Sequence, residues 1–544
     1  MRLRPPARAI AITGFMATGK TTVGRLVAER LGLGHVDTDE MIERTAGREI
    51  AEIFASDGEK HFRDLESVAL QEALSEQGRV VSTGGGMLLR DSNVEALREA
   101  GPIICLTAEP EEILQRTAGD ETRPLLQVAD PAKRVAELLD ARREAYGRAD
   151  YHVETTGRSA EDVCERVLAL LRDDPRARWL TGQRTRVPVD VAGASYCVTV
   201  GRGLLGELGE LYPAPGSGTC AALVTTDTVG PLYAEPAAEG LGAGGWDVRV
   251  LTVPDGEASK SLGVYGELCE EMAAAGLDRG STVFALGGGV VGDLAGFAAA
   301  TYMRGIALVH LPTSLLAQVD SSVGGKTAID LSAGKNLIGA FHQPRAVFAD
   351  VDTLQTLPEA ELRSGLGEII KHACCFDAEM FDFMAANREA VVGGDGPARE
   401  YLVARNCQIK AGVVAEDPTE QGVRVVLNYG HTVGHALERA APQWGLRHGE
   451  VVGIGMAAES RLAVQLGVAA EETARRQREL IEAYGLPTVA EGVDADAAAA
   501  ALRRDKKIVG GRLRLPLVPR IGSFVIVEDV DVGSVEHALR AVVR

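Results

Sequence analysis

Short apolar runs, bounded by glycines and charged residues, alternate along the chain with longer stretches whose apolar positions recur every three to four residues. In the first third the runs are AIAIT, RVVST and PIICL, each followed by a helical pattern, which predicts β-α units around a parallel sheet. Segment 171–188, LRDDPRARWLTGQRTRVP, breaks an amphipathic helical pattern with prolines, charges and a glycine, and predicts an exposed linker. The alternation then returns with AALVTT, VRVLTV, STVFAL and ALVHLP. From about residue 355 the strand signals fade into helical patterns such as EAELRSGLGEIIKHA and TARRQRELIEAYG, and DADAAAAALRR reads as a helix surface. The pattern therefore predicts an α/β domain over 1–172, a linker over 173–186, an α/β subdomain over 187–345 and a mainly helical subdomain over 346–544.

At 544 residues the chain exceeds what one hydrophobic core organises, in keeping with several domains. No apolar stretch approaches the roughly 20 residues that cross a bilayer, and the apolar run near the start leads into a glycine loop and not to a cleavage site. A net charge of −20 opposes general affinity for nucleic acid or anionic membrane, so anionic ligands need local Lys and Arg clusters. The eight cysteines, Cys105, Cys164, Cys197, Cys220, Cys269, Cys374, Cys375 and Cys407, contain no C-x-x-C pair. They read as small buried hydrophobes in a reducing compartment, which makes the cytoplasm the expected address.

After AIAIT comes Gly14-Phe15-Met16-Ala17-Thr18-Gly19-Lys20-Thr21, the G-x-x-x-x-G-K-[ST] pattern of a P-loop, and it runs into the helical pattern VGRLVAERL. Strand, loop and helix N-terminus in that order aim backbone N–H groups at phosphate, let Lys20 reach the terminal phosphates and leave the Thr21 hydroxyl for Mg2+. Further along stand Asp37 and Asp39 in HVDTDE, Arg63 in HFRDLE, the triplet Gly84-Gly85-Gly86 after RVVST, and Arg123 opening RPLL.

The back half concentrates titratable residues in NYGHTVGHALERAAPQWGLRHGE. There His431 and His435 share a helix face, and His448 and Glu450 follow in an H-G-E turn. Upstream, Glu368 and Lys371 stand one turn apart in GEIIKHA. Two histidines and a carboxylate form a metal site with a coordination position left for substrate. Gly287-Gly288-Gly289-Val290-Val291-Gly292-Asp293 follows the strand STVFAL, where backbone amides suit a dinucleotide pyrophosphate. The stretch PTSLLAQVDSSVGGKTAIDLSAGKNLIGAFHQP carries Asp320, Lys326, Lys335 and Asn336, and lysines within glycine turns suit phosphate and carboxylate.

Residues 8–170 resemble shikimate kinase through the P-loop and the ordered D-x-D, F-R-x-x-E, G-G-G and R-P-L-L elements. The resemblance implies that Gly14, Gly19, Lys20, Thr21 and Thr22 bind ATP, that Thr21 and Asp37 organise Mg2+, and that Asp39 holds the shikimate hydroxyls and acts on the attacking one. It implies further that Gly84, Gly85 and Gly86 line the substrate, that Arg63 and Arg142 clamp its carboxylate, and that Arg123 stabilises the transferring phosphoryl group from a lid. Arg143, next to Arg142, is the alternative for the second clamp. Ala17 stands where the family commonly has glycine, from which slightly altered loop flexibility and retained activity are expected.

From about residue 187 onward the chain resembles 3-dehydroquinate synthase, through P-D-G-E, G-G-G-V-V-G-D, Y-M-R-G, V-D-S-S-V-G-G-K-T, G-K-N-L-I-G-A-F, G-E-I-I-K and N-Y-G-H-T-V-G-H-A. The resemblance implies that Glu368, His431 and His448 bind Zn2+ or Co2+. NAD would be bordered by Asp227, Glu257, Lys260, Gly287, Gly288, Gly289, Asp293, Thr313, Ser314 and Lys335. Asp320, Lys326, Asn336, Lys371, Arg424, Asn428, His435 and one of Lys506 or Lys507 would surround the substrate, with Asp320, Lys326, Lys371 and His435 in catalytic roles. Arg304 would reach the phosphate of a neighbouring subunit's substrate, which implies a homodimer. NAD would be reduced and reoxidised within each turnover. The fold implied is a P-loop kinase domain, then a Rossmann-like α/β subdomain and a helical metal-binding subdomain, acting on small molecules in the shikimate pathway. The alternatives are another small-molecule P-loop kinase in front, a metal-dependent polyol dehydrogenase behind, and a nucleotide sensor with decayed sites.

Overall fold

Residues alternate between the two faces of a strand, so a strand that is apolar throughout needs cover on both sides. β1 (Ala9–Gly14) is buried along its whole length: Ile10 and Ile12 enter one apolar cluster, and Ala9 and Ala11 enter two others. The computed structural model describes residues 2–76, 78–118, 128, 130–191, 193–216, 218–417, 422–441, 445–504 and 512–544, and divides into two units, Met1–Gln183 and Arg184–Arg544. In the first unit β2 (Gly34–Asp37), β3 (Arg79–Ser82), β4 (Ile103–Thr107) and β5 (Tyr151–Glu154) join β1 in a parallel sheet of order β2-β3-β1-β4-β5. The C-terminal ends of β1, β2 and β3 carry the P-loop, the Asp37–Asp39 turn and the glycine triplet.

The second unit begins with β6 (Thr185–Val189) and β7 (Tyr196–Gly201), followed by β8 (Thr219–Thr226), β9 (Trp246–Val253), β10 (Thr282–Gly287) and β11 (Ala307–Pro312). A hairpin of β12 (Lys326–Leu331) and β13 (Gly334–Phe341) precedes β14 (Ala346–Asp350). The main sheet has the order β6-β7-β14-β11-β10-β8-β9, and β6 alone in it is antiparallel to its neighbour. Since β9 lies on one side of β8 and β10 on the other, the strand order reverses between β8 and β10, where open α/β sheets bind ligands. Helices follow, among them Glu359–Phe376, Gly396–Glu416, His431–Ala440, His448–Gln465 and Glu471–Ala483.

Three expectations are corrected. Segment 173–186 is not an exposed linker, because Ala177, Trp179 and Leu180 are buried and the Trp179 indole donates to Arg4 O at 2.9 Å. Ala177 and Leu180 pack with Ile10 and Val167 in the first unit's core, so the charges between them mask an inward apolar face. DADAAAAALRR is not mere helix surface, since Ala498 and Leu502 of helix Ala495–Arg503 pack with Leu437 and Ile454. The boundary expected between residues 345 and 346 falls one strand early, because β14 pairs with β11 and β7 inside the main sheet, and the mainly helical region beyond it includes a hairpin, β15 (Arg512–Leu517) with β16 (Val525–Asp531). No helix among the described residues is long and apolar enough to cross a membrane.

Candidate active sites

In the first unit, Gly14 has φ +139 and Gly19 φ +88, backbone angles that favour glycine, and they turn the chain from β1 into helix Lys20–Leu31. Lys20 Nζ donates to Phe15 O at 3.1 Å, spanning the loop. Ala17 adopts φ +59 despite its side chain, and its carbonyl accepts from Arg116 Nη1 at 3.2 Å. The Thr21 hydroxyl donates to Asp37 Oδ2 at 2.6 Å, which brings the two Mg2+ candidates together, while Asp37 Oδ1 caps the next helix through Asp39 N at 2.9 Å. Thr22 is exposed in the first turn of the P-loop helix.

The glycine triplet is crowded for a physical reason. A Cβ on Gly84 would lie 2.6 Å from both Asp39 Oδ1 and Glu66 Oε1, and one on Gly86 would overlap the Arg63 guanidinium. Arg63 pairs with buried Glu66 at 2.6 Å and with Glu59 at 2.9 Å. Arg142 donates to Gly85 O at 3.2 Å, beside the Tyr146 hydroxyl at 2.8 Å, and lies over the Phe15 ring. Arg143 points away from the glycine triplet, with its side chain 82% exposed and paired with Asp140 at 2.9 Å.

Burial pushes the Asp39 carboxyl up to about 7, with Asp37 adding to the rise and Lys20 opposing it. The folded unit thus keeps a proton that the unfolded chain releases near pH 4, so this group costs stability as pH rises from 4 to 7 and levels off above. Its ceiling is roughly 4 kcal/mol at alkaline pH. Asp39→Asn is therefore expected to raise the first unit's melting temperature by several degrees at pH 8 in metal-free buffer and by almost nothing at pH 4. Calorimetry at the two pH values checks this, and an equal shift at both would contradict it.

In the second unit, Gly287 ends β10 and Gly288 starts helix Gly289–Thr301, at the reversal point of the sheet. Thr313 N donates to Gly287 O at 3.0 Å, and Ser314 Oγ would lie 3.4 Å from a Cβ on Gly288, so the glycines and the end of β11 form one small-residue turn. Lys260, buried behind it, donates to Asp293 Oδ2 at 2.8 Å and Asn336 Oδ1 at 2.5 Å, and lies 3.7 Å from Glu257. Burial lowers the Lys260 pKa, but Asp293 outweighs it and the net shift is upward. Lys335 Nζ stands 3.9 Å from both Glu257 and Glu438. Asp227 is exposed just after β8.

Glu368, on helix Glu359–Phe376, is fully buried, and its Oε1 lies 3.6 Å from His431 Nε2 and 3.3 Å from His448 Nε2. Three donors bonded to one ion at about 2.1 Å in tetrahedral geometry stand about 3.4 Å apart, so this set fits zinc or cobalt. One ring nitrogen each of His431, His435 and His448 also lies within 4.8 Å of the others, a looser set. Lys371 Nζ pairs with Glu368 Oε2 and donates to Leu427 O at 2.7 Å. Burial alone would raise the Glu368 pKa, but Lys371 and the two imidazoles hold the carboxyl well below the usual carboxylate range.

Two helices meet without side chains to bring Glu368 and His448 together. A Cβ on Gly367 would sit 2.5 Å from Gly449 O, one on Gly449 would overlap the Ser364 carbonyl, and Gly449 N donates to Ser364 Oγ at 3.1 Å. Arg447, just before His448, pairs with Glu361 of the Glu368 helix at 2.5 Å.

Asp320 lies in a single π-turn, Ala317–Ser321, a deformation frequent at functional sites. Its carboxylate pairs at 2.6 Å with Lys410, a buried residue that sequence patterns did not single out. Burial opposes ionisation of Asp320, yet Lys410 holds its pKa below the usual range. The signal for Lys410 was a lysine within LVARNCQIKAGVV, a stretch too apolar for a solvated helix face. Arg424 is buried, and its Nη2 would lie 3.0 Å from a Cβ on Gly324. Asn428 is half-buried ahead of His431, His435 is half-buried on its helix, and Lys326 and Arg304 are exposed. Arg123, Lys506 and Lys507 lie outside the described residues.

Profiles of known families match stretches of both units. The shikimate kinase profile matches residues 16–172, and those of the 3-dehydroquinate synthase N-terminal and C-terminal regions match 250–364 and 365–508. The 3-dehydroquinate synthase of Pelotomaculum thermopropionicum is 49% identical over 341 residues, 62% of this chain and 92% of that protein. The chain belongs to the 3-dehydroquinate synthase family, with a shikimate kinase domain in front. It is a bifunctional enzyme of the shikimate pathway: it phosphorylates shikimate with ATP and converts 3-deoxy-D-arabino-heptulosonate 7-phosphate to 3-dehydroquinate with release of phosphate. Among solved structures, 2-deoxy-scyllo-inosose synthase, complexed with carbaglucose-6-phosphate, NAD+ and Co2+, is 26% identical with a TM-score of 0.60, covering 66% of this chain and 100% of that one. The 2-epi-5-epi-valiolone synthase of Streptomyces hygroscopicus subsp. jinggangensis, with NAD+ and Zn2+ bound, is 30% identical with a TM-score of 0.59, covering 65% and 98%.

Proposed function

We infer that shikimate is phosphorylated where Lys20, Thr21 and Asp37 face Asp39, Arg63 and Arg142. The reading is carried by the crowding of Asp39, Glu66 and Arg63 around Gly84–Gly86 beside the P-loop. Lys20 and the loop amides hold the phosphates, Thr21 and Asp37 hold Mg2+, and the two guanidinium groups clamp the substrate carboxylate. Asp39 binds the attacking hydroxyl and accepts its proton, a role helped by a pKa near neutrality. Arg142→Ala is expected to raise the KM for shikimate roughly tenfold or more, the loss of a charged hydrogen bond. Arg143→Ala should leave it nearly unchanged, and steady-state kinetics that reversed this order would move the clamp by one residue.

In the second unit, the reading is that Glu368, His431 and His448 hold Zn2+ or Co2+ and that the turn Gly287–Gly289, with Asp227, Glu257, Lys260, Asp293, Thr313, Ser314 and Lys335, borders NAD. It is supported by the donor spacing around Glu368 Oε1 and by the metal and NAD+ in the related synthases. Bound there, the metal would polarise substrate hydroxyls and NAD would carry a hydride transiently. Lys326, Lys371, Lys410, Arg424, Asn336 and Asn428 bind the anionic substrate in one orientation, and Asp320 fixes the Lys410 ammonium. His435, beside the ligands, serves substrate proton transfer and not the metal. Thus His431→Ala is expected to weaken metal binding at least tenfold, whereas His435→Ala should keep the metal and lose turnover. Metal titration of both variants checks the assignment, and equal losses of metal would make His435 a ligand.

The reading extends to a homodimer formed through the second unit, in which Arg304 reaches the partner's substrate. Support comes from the exposed Met303, Leu337 and Phe341 and from the positive φ of Met303 and Arg304, +48 and +70. His342, next to Phe341, bonds Ile306 O at 2.9 Å and holds these segments together. Work in the cytoplasm agrees with eight unpaired cysteines.

A further inference from the structure

The peptide group that joins Tyr429 to Gly430 lies between a buried carboxylate and the imidazole of His431. Its N–H, on Gly430, donates to Glu459 Oε2 at 2.7 Å, and its carbonyl, on Tyr429, lies 3.2 Å from His431 Nδ1. A carbonyl oxygen only accepts, so Nδ1 carries the hydrogen and Nε2, the nitrogen facing Glu368, keeps its lone pair. The peptide is fixed in place. Gly430 has φ +79 at the entry to helix His431–Ala440, and a Cβ there would lie 2.8 Å from Val452 O and Met456 Cγ. The buried Tyr429 ring donates its hydroxyl to Gln477 Oε1 at 2.6 Å, on helix Glu471–Ala483. Glu459 itself is fully buried on helix His448–Gln465, the helix whose first residue is His448.

We propose that Glu459 is a positioning residue that acts on His431 through the Tyr429–Gly430 peptide. The carboxylate polarises the Gly430 N–H, amide resonance passes electron density to the Tyr429 oxygen, and that oxygen grips the Nδ1 hydrogen more firmly. The imidazole is thereby held in one tautomer, with Nε2 made a stronger donor. Histidines that bind metals commonly give their second N–H straight to a carboxylate or a carbonyl. Here a carbonyl and a carboxyl group are used in series. Since Glu459 acts only through His431, the proposal rests on reading His431 as a metal ligand.

The test is Co2+ titration of the metal-free full chain. Glu459→Gln keeps an acceptor oxygen of the same reach but removes the charge, so it is expected to bind Co2+ about tenfold more weakly. The visible bands of bound Co2+ should shift, while the melting temperature of the metal-free protein and the kinase activity stay unchanged. His431→Ala, run in parallel, separates the two readings. If it binds Co2+ as the parent does, the ligand assignment fails. If it loses Co2+ while Glu459→Gln matches the parent in affinity and spectrum, the relay alone is wrong. Should Glu459→Gln not fold, the tautomer of His431 in the unmodified metal-free protein decides, by long-range 15N–1H correlation: the hydrogen is expected on Nδ1, and finding it on Nε2 overturns the proposal.

Discussion

Lys20→Ala is expected to lower shikimate phosphorylation by about a thousandfold or more, some 4 kcal/mol of barrier, and to leave the synthase reaction within about twofold of its parent value. The lysine opens the P-loop helix and reaches back across the loop to Phe15 O. Its ammonium is the flexible cation able to follow negative charge as the phosphoryl group transfers, a step governed by positioning and electrostatics. An alanine keeps the helix but leaves that charge to Mg2+ and the backbone. The synthase residues all belong to the other unit, so no shared side chain links the two losses. Both reactions should be followed in one preparation, ADP formation with shikimate and phosphate release from the heptulosonate phosphate. A comparable fall in both, in a folded protein, would refute separate sites.

Glu368→Gln should have the largest effect on the second unit. The carboxylate is fully buried, faces two imidazoles with one oxygen and pairs with Lys371 through the other, so its loss removes a metal donor and strands a buried ammonium. Breaking such a pair commonly costs about 3–5 kcal/mol, which would appear as a lower melting temperature of this unit even without metal. Metal should no longer survive gel filtration, synthase turnover should fall about a thousandfold, and the kinase should be untouched. Metal analysis carries the decision. If Glu368→Gln retains stoichiometric metal, the ligands are the three imidazoles of His431, His435 and His448, and the carboxylate serves only to neutralise Lys371.

The sheets were legible in the sequence because strands covered on both faces read as largely apolar runs, and β1, β3, β4, β8, β10 and β11 coincide with such runs, while the partly exposed edge strand β9 shows the mixed run VRVLTV. The P-loop and the histidine cluster were legible because their chemistry depends on spacing within one segment. What depends on three-dimensional neighbours was not. Lys410 looks like any helical lysine until Asp320 stands beside it, and Glu459 gains meaning only from a peptide 29 residues earlier. That Arg142 and not its neighbour Arg143 meets Gly85 depends on which side of one helix faces the glycine triplet. Segment 173–186 misled because its charges outnumber the three residues, Ala177, Trp179 and Leu180, that join the core.

The glycine-to-glycine contact at positions 367 and 449 has a consequence for anyone engineering this enzyme for robustness. By helix propensity alone, alanine is better than glycine by about 1 kcal/mol in a helix interior, so Gly367, and to a lesser degree Gly449 in the first turn of its helix, would rank among candidate stabilising changes. Here the missing methyl groups are the spacer that sets how far Glu368 stands from His448. A single added carbon at either glycine would wedge the helices apart and widen the gap between Glu368 and His448. The clash with backbone atoms outweighs the gain in propensity, so a substitution that composition alone recommends would lower stability and disturb the site together.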